Sequence, residues 1–410
     1  MKQCLATLLL LLGSMAAMGQ ADGFDRWFAD ATLRIDCLRE GSAQGDTVWV
    51  ERWIDRTASW HGSRTQLIDP FDNGDYRVVV RDAETGRDLY SRGYSNLFRE
   101  YKDTPEGRTT KARFEETLLV PMPKGRVLIA LQRRNRETMR FEDQTVTPFD
   151  PQRQALTTVP VPQWQQRQEI HGAPAEKLDV AFVMQGFDQV PDSEYHAVCD
   201  RMTGVLFGKE PFKSHRQDFN VYFVRGDAGV EYNTFGADRY AMTFRVWQLH
   251  DVLGDTPCDH VIVVLNNGKY GGGAIYNFYS VSSLHSMAES VLPHELGHGI
   301  GGLADEYVDE DLSYADLHRT TYEPLEPNIT NLVDFGSKWQ SLLPAGTPVP
   351  TPARTDVPRN QCGPLGAYEG AGYSAKGVYR PAMHCMMRDY APFCPVCHAR
   401  LTAIFNLYTR

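Results

Sequence analysis

Beyond residue 19, the 410-residue sequence has no apolar run approaching membrane-spanning length, no low-complexity tract and no internal repeat. A mature chain without a span reads as soluble and globular. Basic charge is not in excess either: the balance is -10, or -11 once Lys2 is subtracted. That argues against nucleic acid or an anionic membrane surface as the main partner. Cysteine is scarce, with Cys37, Cys199, Cys258, Cys362, Cys385, Cys394 and Cys397 left after Cys4. The set is odd in number and crowded toward the C-terminus, so at least one thiol stays unpaired.

What is present begins with "MKQCLATLLLLLGSMAAMG", which has one basic residue, an apolar run from Leu5 to Leu12 and small residues at its end. This is the pattern of a secretory signal peptide over 1–19, and it predicts a protein released to the periplasm or the exterior. In that oxidising setting disulfides are expected. At 410 residues two domains are the better expectation. Residues 20–150 carry short β-rich runs such as "TVWVERWI", "YRVVVRD" and "GRVLIALQ" between turn signals, predicting an antiparallel β-sandwich. Residues 151–177, rich in Pro and Gln, read as a linker. From 178 to 410 the texture alternates: "LDVAFVMQGF", a helical stretch from Asp192 to Phe207, "FNVYFVRG" and "HVIVVLNN". That predicts an α/β domain with a largely parallel sheet, so the whole chain is α+β and multidomain. Gly271, Gly272 and Gly273 precede an alternating strand and suggest an edge that an extended peptide could pair with. From Asp309 to Ala382 the chain is rich in Pro and Gly and weakly periodic.

The chemistry concentrates in "PHELGHGIGGLADEY", residues 293–307. His-Glu-x-x-His on a helix puts His294 and His298 one turn apart on one face, where two imidazoles can share a zinc ion and Glu295 can act as general base. Two features complicate the helix start: Ser286 and Glu289 fit a capping box, while Pro293 sits inside the helix that box would begin. The metzincin pattern places its third ligand three residues after a glycine. Counted from Gly301 that position is Ala304, which binds no metal; a turn pivoting at Gly302 moves it to Asp305. Asp305 is therefore the expected third ligand, with Glu306 as neighbouring competitor and His384 and His398 as distant ones. "FCPVC" has the Cys-x-x-Cys spacing of redox sites and zinc knuckles. A second zinc would need two more ligands, for which Cys362 and Cys385 are available, but disulfides among these four cysteines are the expectation for a secreted chain.

"HELGHGIGGLADEY" together with "YEGAGYSAKGVYRPAMHCMMRDYAPFCPVC" resembles the family of secreted bacterial zinc metallopeptidases named for its immunoglobulin A peptidase. The similarity extends through "FKSHRQDFNVYFVRG" and into "FDRWFADATLRID", covering most of the chain. It implies a metzincin-like catalytic domain, zinc held by His294, His298 and Asp305, Glu295 as base, and Met387 in a methionine turn beneath the metal, with Met386 as the alternative. It implies hydrolysis of protein or peptide substrates. Two rival readings stand beside it: an inert secreted binding protein whose sandwich recognises a surface or host partner, and a zinc hydrolase of non-peptide amides or esters. Arg380, Arg388, Tyr379 and Tyr390 could supply donors to an oxyanion or simply satisfy backbone carbonyls.

Overall fold

The computed structural model describes residues 23–409 apart from 57, 160, 163–164, 310–317 and 319–320; the expected signal peptide lies outside them. The protein is mixed α+β, and its first half is rich in sheet. In chain order the first strands are β1 (Phe28–Ser42), β2 (Gly45–Asp55), β3 (Tyr76–Asp82), β4 (Asp88–Tyr94), β5 (Ala112–Pro123), β6 (Val127–Arg134) and β7 (Phe141–Phe149), with helix α1 (Leu97–Tyr101) between β4 and β5. They form two four-stranded sheets, β5-β1-β2-β8 and β4-β3-β6-β7, antiparallel except where the two-residue β8 (Thr157–Thr158) pairs parallel with β2. Leu33, Ile35 and Val48 of one sheet and Val78, Val80 and Ile129 of the other share one apolar core, as alternation along each strand requires.

The stretch expected to be a linker carries β8 and also β9 (Gln165–Glu169), which pairs antiparallel with Val221–Val224 at the edge of the next sheet. That sheet has the order β13-β14-β12-β10-β11-β9, built from β10 (Leu178–Gln185), β11 (Phe219–Arg225), β12 (His260–Leu265), β13 (Gly273–Ile275) and β14 (Tyr279–Ser283). Its four central strands are parallel, and both edges are antiparallel. Continuous apolar runs suit strands buried on both faces. Here period two divides them cleanly. Val180, Phe182 and Met184 face a core that includes residues of α2 (Asp192–Leu206), α4 (Ala288–Gly299) and α6 (Pro395–Tyr408). Ala181, Val183, Tyr222, Val261 and Val263 face the other way, into the core of the N-terminal sheets. Helix α3 (Val246–Leu253) lies on that second side, where Arg34 from β1 donates to the Trp247 carbonyl at 2.9 Å and to Asp251 at 2.7 Å.

After α4 the chain is irregular. It includes the hairpin β15 (Tyr368–Ala371) and β16 (Ser374–Arg380), and Trp339 is buried with its indole N–H donating to the Gly366 carbonyl at 2.7 Å. A short helix, α5 (Met386–Asp389), precedes α6.

Three local expectations change. The capping box does not form: α4 starts after Met287 with no side-chain cap and runs through Pro293. Proline at the sixth helical position removes only the bond that its missing N–H would give to Glu289, and the rest of the helix continues. The glycine edge is also already in use. Gly272 donates to the Arg239 carbonyl at 3.2 Å and accepts from the Ala241 amide at 3.1 Å. A Cβ on Gly271 would stand 2.3 Å from the Arg239 carbonyl oxygen, so the backbone these glycines admit is the protein's own. Finally, the expected disulfides are absent: all seven described cysteines are free. The Cys385 and Cys397 sulfurs, for example, are 3.7 Å apart, against about 2.05 Å for a disulfide.

Candidate metal centre

Leu292, Leu296 and Ile300, four apart on α4, face the core beneath the six-stranded sheet. The same helical period turns His294, Glu295 and His298 to the opposite side, into a cleft of about 550 Å³. The helix ends in an αL cap: the Gly302 N–H bonds to the His298 carbonyl at 2.9 Å, and the Leu303 N–H reaches back to the Gly297 carbonyl at 3.0 Å. Gly302 holds the left-handed position with φ of 61°. Its lack of a Cβ also leaves room for the Asn73 amide and the Tyr276 ring, which a Cβ would meet at 2.3 and 2.9 Å. The chain then doubles back. Asn328 fixes the reversal by accepting from the Ala304 amide at 2.8 Å and donating to the Ala304 carbonyl at 2.9 Å.

This reversal brings Asp305 to the histidines. Its Oδ1 lies 3.1 Å from His294 Nε2 and 3.4 Å from His298 Nε2, and the two Nε2 atoms are 3.2 Å apart. Tetrahedral ligands about 2.0–2.1 Å from a zinc ion stand about 3.3 Å from one another, so the three donor atoms fit one such ion. Ring orientation agrees. His294 Nδ1 donates to the Met386 carbonyl at 3.0 Å and His298 Nδ1 to the Leu303 carbonyl at 2.6 Å, leaving each Nε2 lone pair facing inward. Asp305 Oδ1 is buried with no hydrogen-bond donor among the described residues, while Oδ2 accepts from Tyr373 at 2.5 Å. Burial opposes charge on both imidazoles, and the Asp305 carboxylate overrides it. His294 is raised, His298 is raised to about 9, and Asp305 is held well below the usual carboxylate range. Three groups converge on a point that favours positive charge.

Glu295 lines the cleft beside them, its carboxyl pushed up by burial against the pull of both histidines. Met387 packs directly under α4, where a Cβ on Gly297 would come within 2.4 Å of its sulfur. Met386 serves through its carbonyl. Of the distant competitors, His384 is engaged elsewhere, with Nδ1 on Asp389 at 2.5 Å and Nε2 on the Val357 carbonyl at 3.2 Å. His398 is outside the cluster, and Glu306 points into a different one with three cysteines. Arg388 and Tyr390 reach the cleft, whereas Arg380 binds the Glu369 carbonyl and Tyr379 pairs through its backbone with Thr330. The Tyr390 and Tyr270 hydroxyls are 2.7 Å apart at the cleft wall.

Several contributors carried no local signal. Asn328 and Tyr373 come from the irregular segment. Glu100 comes from α1 in the first half, lines the cleft and accepts from the Tyr240 hydroxyl at 2.8 Å. Burial raises its carboxyl to about 7 against that hydrogen bond. Only the folded chain brings these to the metal helix.

Residues 23–144 match the family model described as Peptidase M64 N-terminus, and residues 223–361 and 354–405 match the model described as IgA Peptidase M64. No curated protein gives a significant match. With both regions matched in order along one chain, and a three-donor cluster on the helix of the second, the chain belongs to the IgA Peptidase M64 family and is a metallopeptidase.

Proposed function

We propose that the protein is a secreted, zinc-dependent endopeptidase in which His294, His298 and Asp305 hold the metal and Glu295 is the general base. The observation that carries this reading is the mutual spacing of the three donor atoms, 3.1–3.4 Å, on the cleft floor beside Glu295. Bound there, zinc would supply the Lewis acidity that makes water acidic near neutral pH and polarises a scissile carbonyl. Glu295 accepts the water's proton at its carboxylate and delivers it to the leaving amine. Its raised pKa suits both halves of that transfer, since a stronger base takes the proton and the acid so formed gives it up. The Met386 and Leu303 carbonyls hold the imidazoles in one tautomer, so neither ring need reorient during turnover.

The cleft lies between α4, the 239–241 segment and α1, and its size suits an extended stretch of polypeptide. Arg239 and Tyr390 flank it and are placed to donate to oxygens of a substrate backbone. A methionine beneath the histidine helix supports a metzincin-like catalytic half from about residue 178 onward, with the sheet-rich 20–150 region as a separate N-terminal domain. The leader-like first nineteen residues support secretion. Glu295→Gln tests the assignment. The variant should retain zinc and lose cleavage of a peptide library by at least about 100-fold, the scale of general-base catalysis. Cleavage at the normal rate would remove Glu295 from the mechanism.

A further inference from the structure

We propose that Glu306, Cys385, Cys394 and Cys397 form a second, structural metal site that takes zinc, independent of the cleft. The four residues are wholly buried, and each offers one ligand atom within 4.8 Å of all the others. Cys394 and Cys397 stand at the N-cap and in the first turn of α6, Cys385 at the N-cap of α5, and Glu306 one residue after Asp305. The Cys-x-x-Cys spacing at a helix start is one that structural zinc sites use.

The distances separate the possible states of these sulfurs. Cys385 Sγ and Cys397 Sγ are 3.7 Å apart. Thiolates about 2.3 Å from a tetrahedral zinc ion stand about 3.8 Å from each other, whereas a disulfide would need about 2.05 Å. Cys397 Sγ lies 3.3 Å from Glu306 Oε1, against about 3.5 Å for a thiolate and a carboxylate on one zinc ion. An independent observation points to a cation: Glu306 Oε2 is buried with no hydrogen-bond partner among the described residues. A wholly buried carboxylate oxygen without a partner is costly, and a metal ion would relieve that cost.

The surroundings are those of a ligand set held in place. Asn328 Nδ2 donates to Glu306 Oε1 at 2.9 Å, and the Cys394 amide donates to Cys385 Sγ at 3.4 Å. A redox role fits poorly, because Cys394 and Cys397 are both fully buried, out of reach of a partner thiol. Cys362 is partly exposed and outside the cluster; its thiol lies 3.4 Å from the Pro392 carbonyl. The site would join three segments that share no strand or helix: the Asp305–Glu306 reversal, α5 and α6. Glu306 N–H already bonds to the Met387 carbonyl at 2.7 Å, so the metal would clamp the Asp305 loop onto the methionine turn.

The test is metal analysis and cobalt exchange on the full chain and on a His294→Ala/His298→Ala double variant. The wild type should carry about two zinc ions and the double variant about one. After exchange, the double variant should show intense thiolate-to-cobalt charge-transfer absorption in the near ultraviolet. Cys397→Ser in the double-variant background should lose both that band and the remaining metal. Should that variant not fold, the spectrum of the double variant decides alone. A double variant without metal, bound cobalt without the charge-transfer band, or an intact mass two hydrogens short with a disulfide among these cysteines would each overturn the proposal. The Glu295→Gln assay is indifferent to all three outcomes, so the two readings fail separately.

Discussion

Gly302→Ala probes the step that carries Asp305 to the histidines. A non-glycine residue at φ of 61° costs about 1–2 kcal/mol. The new Cβ would also stand 2.3 Å from Asn73 Nδ2 and 2.9 Å from Tyr276 Cδ2, so those groups or the turn must shift. Adding a methyl to a packed site costs about 1–3 kcal/mol, giving about 2–5 kcal/mol in all. At about 2.1 cal/mol/K of unfolding entropy per residue, that is about 2–6 °C in Tm for a chain of 410 residues. Calorimetry of the metal-free protein reads this directly. Because Asp305 is only three residues on, part of the strain should move its carboxylate. Zinc affinity, read by competition with a chromophoric chelator, should then fall by about tenfold or more, equivalent to about 1.4 kcal/mol. Asn73→Ala in the Gly302→Ala background should recover part of the Tm loss and leave the left-handed cost. If Gly302→Ala melts with the wild type and binds zinc as tightly, the turn does not hold the ligand.

Met387→Ala empties a fully buried site under α4 and should destabilise by about 2–5 kcal/mol in urea unfolding. Gly204→Ala in α2 should do the opposite: the position is exposed and a Cβ there meets nothing within 4 Å, so about 0.5–1 kcal/mol of stabilisation is expected in the same assay. His260, buried and 2.8 Å from Ser280 Oγ, has its pKa lowered by burial from 6.5 to about 3. The unfolded chain therefore binds the extra proton across that window, and stability falls with falling pH by about 1.4 kcal/mol per unit at most. His260→Gln should flatten this slope between pH 6.5 and 4 in urea titrations; an unchanged slope would exonerate His260.

Reading the sequence brought the right residues together where the relation is local. That His294 and His298 share a helix face needed only the helical repeat, and that Asp305 rather than Ala304 comes to them needed only one extra glycine. It failed where a local feature has a distant partner. Gly271 to Gly273 do admit a close backbone, but which backbone depends on where the 239–242 segment lies, some thirty residues upstream. Pro293 conflicted with the capping box because its penalty is local, while Leu292, Leu296 and Ile300 hold the helix through tertiary burial. "FCPVC" was legible as a pair; whether its sulfurs face a disulfide partner or a carboxylate is a matter of ångströms. Glu100, Asn328 and Tyr373 have no spacing relation to the motif and became visible only with the fold.

The two faces of the six-stranded sheet have a practical consequence. Helix α3 packs on β10 and β11, and Ala181, Val183, Tyr222, Val261 and Val263 share one apolar core with it and with the N-terminal sheets. A chain cut to begin at residue 178 would keep His294, His298 and Asp305 and still open that shared core to water, the state in which apolar surfaces find one another and aggregate. It would also lose the α1 wall of the cleft with Glu100. The peptidase half is therefore expected to be insoluble when expressed alone, and exchanging N-terminal halves between relatives should succeed only when the buried face is exchanged with them.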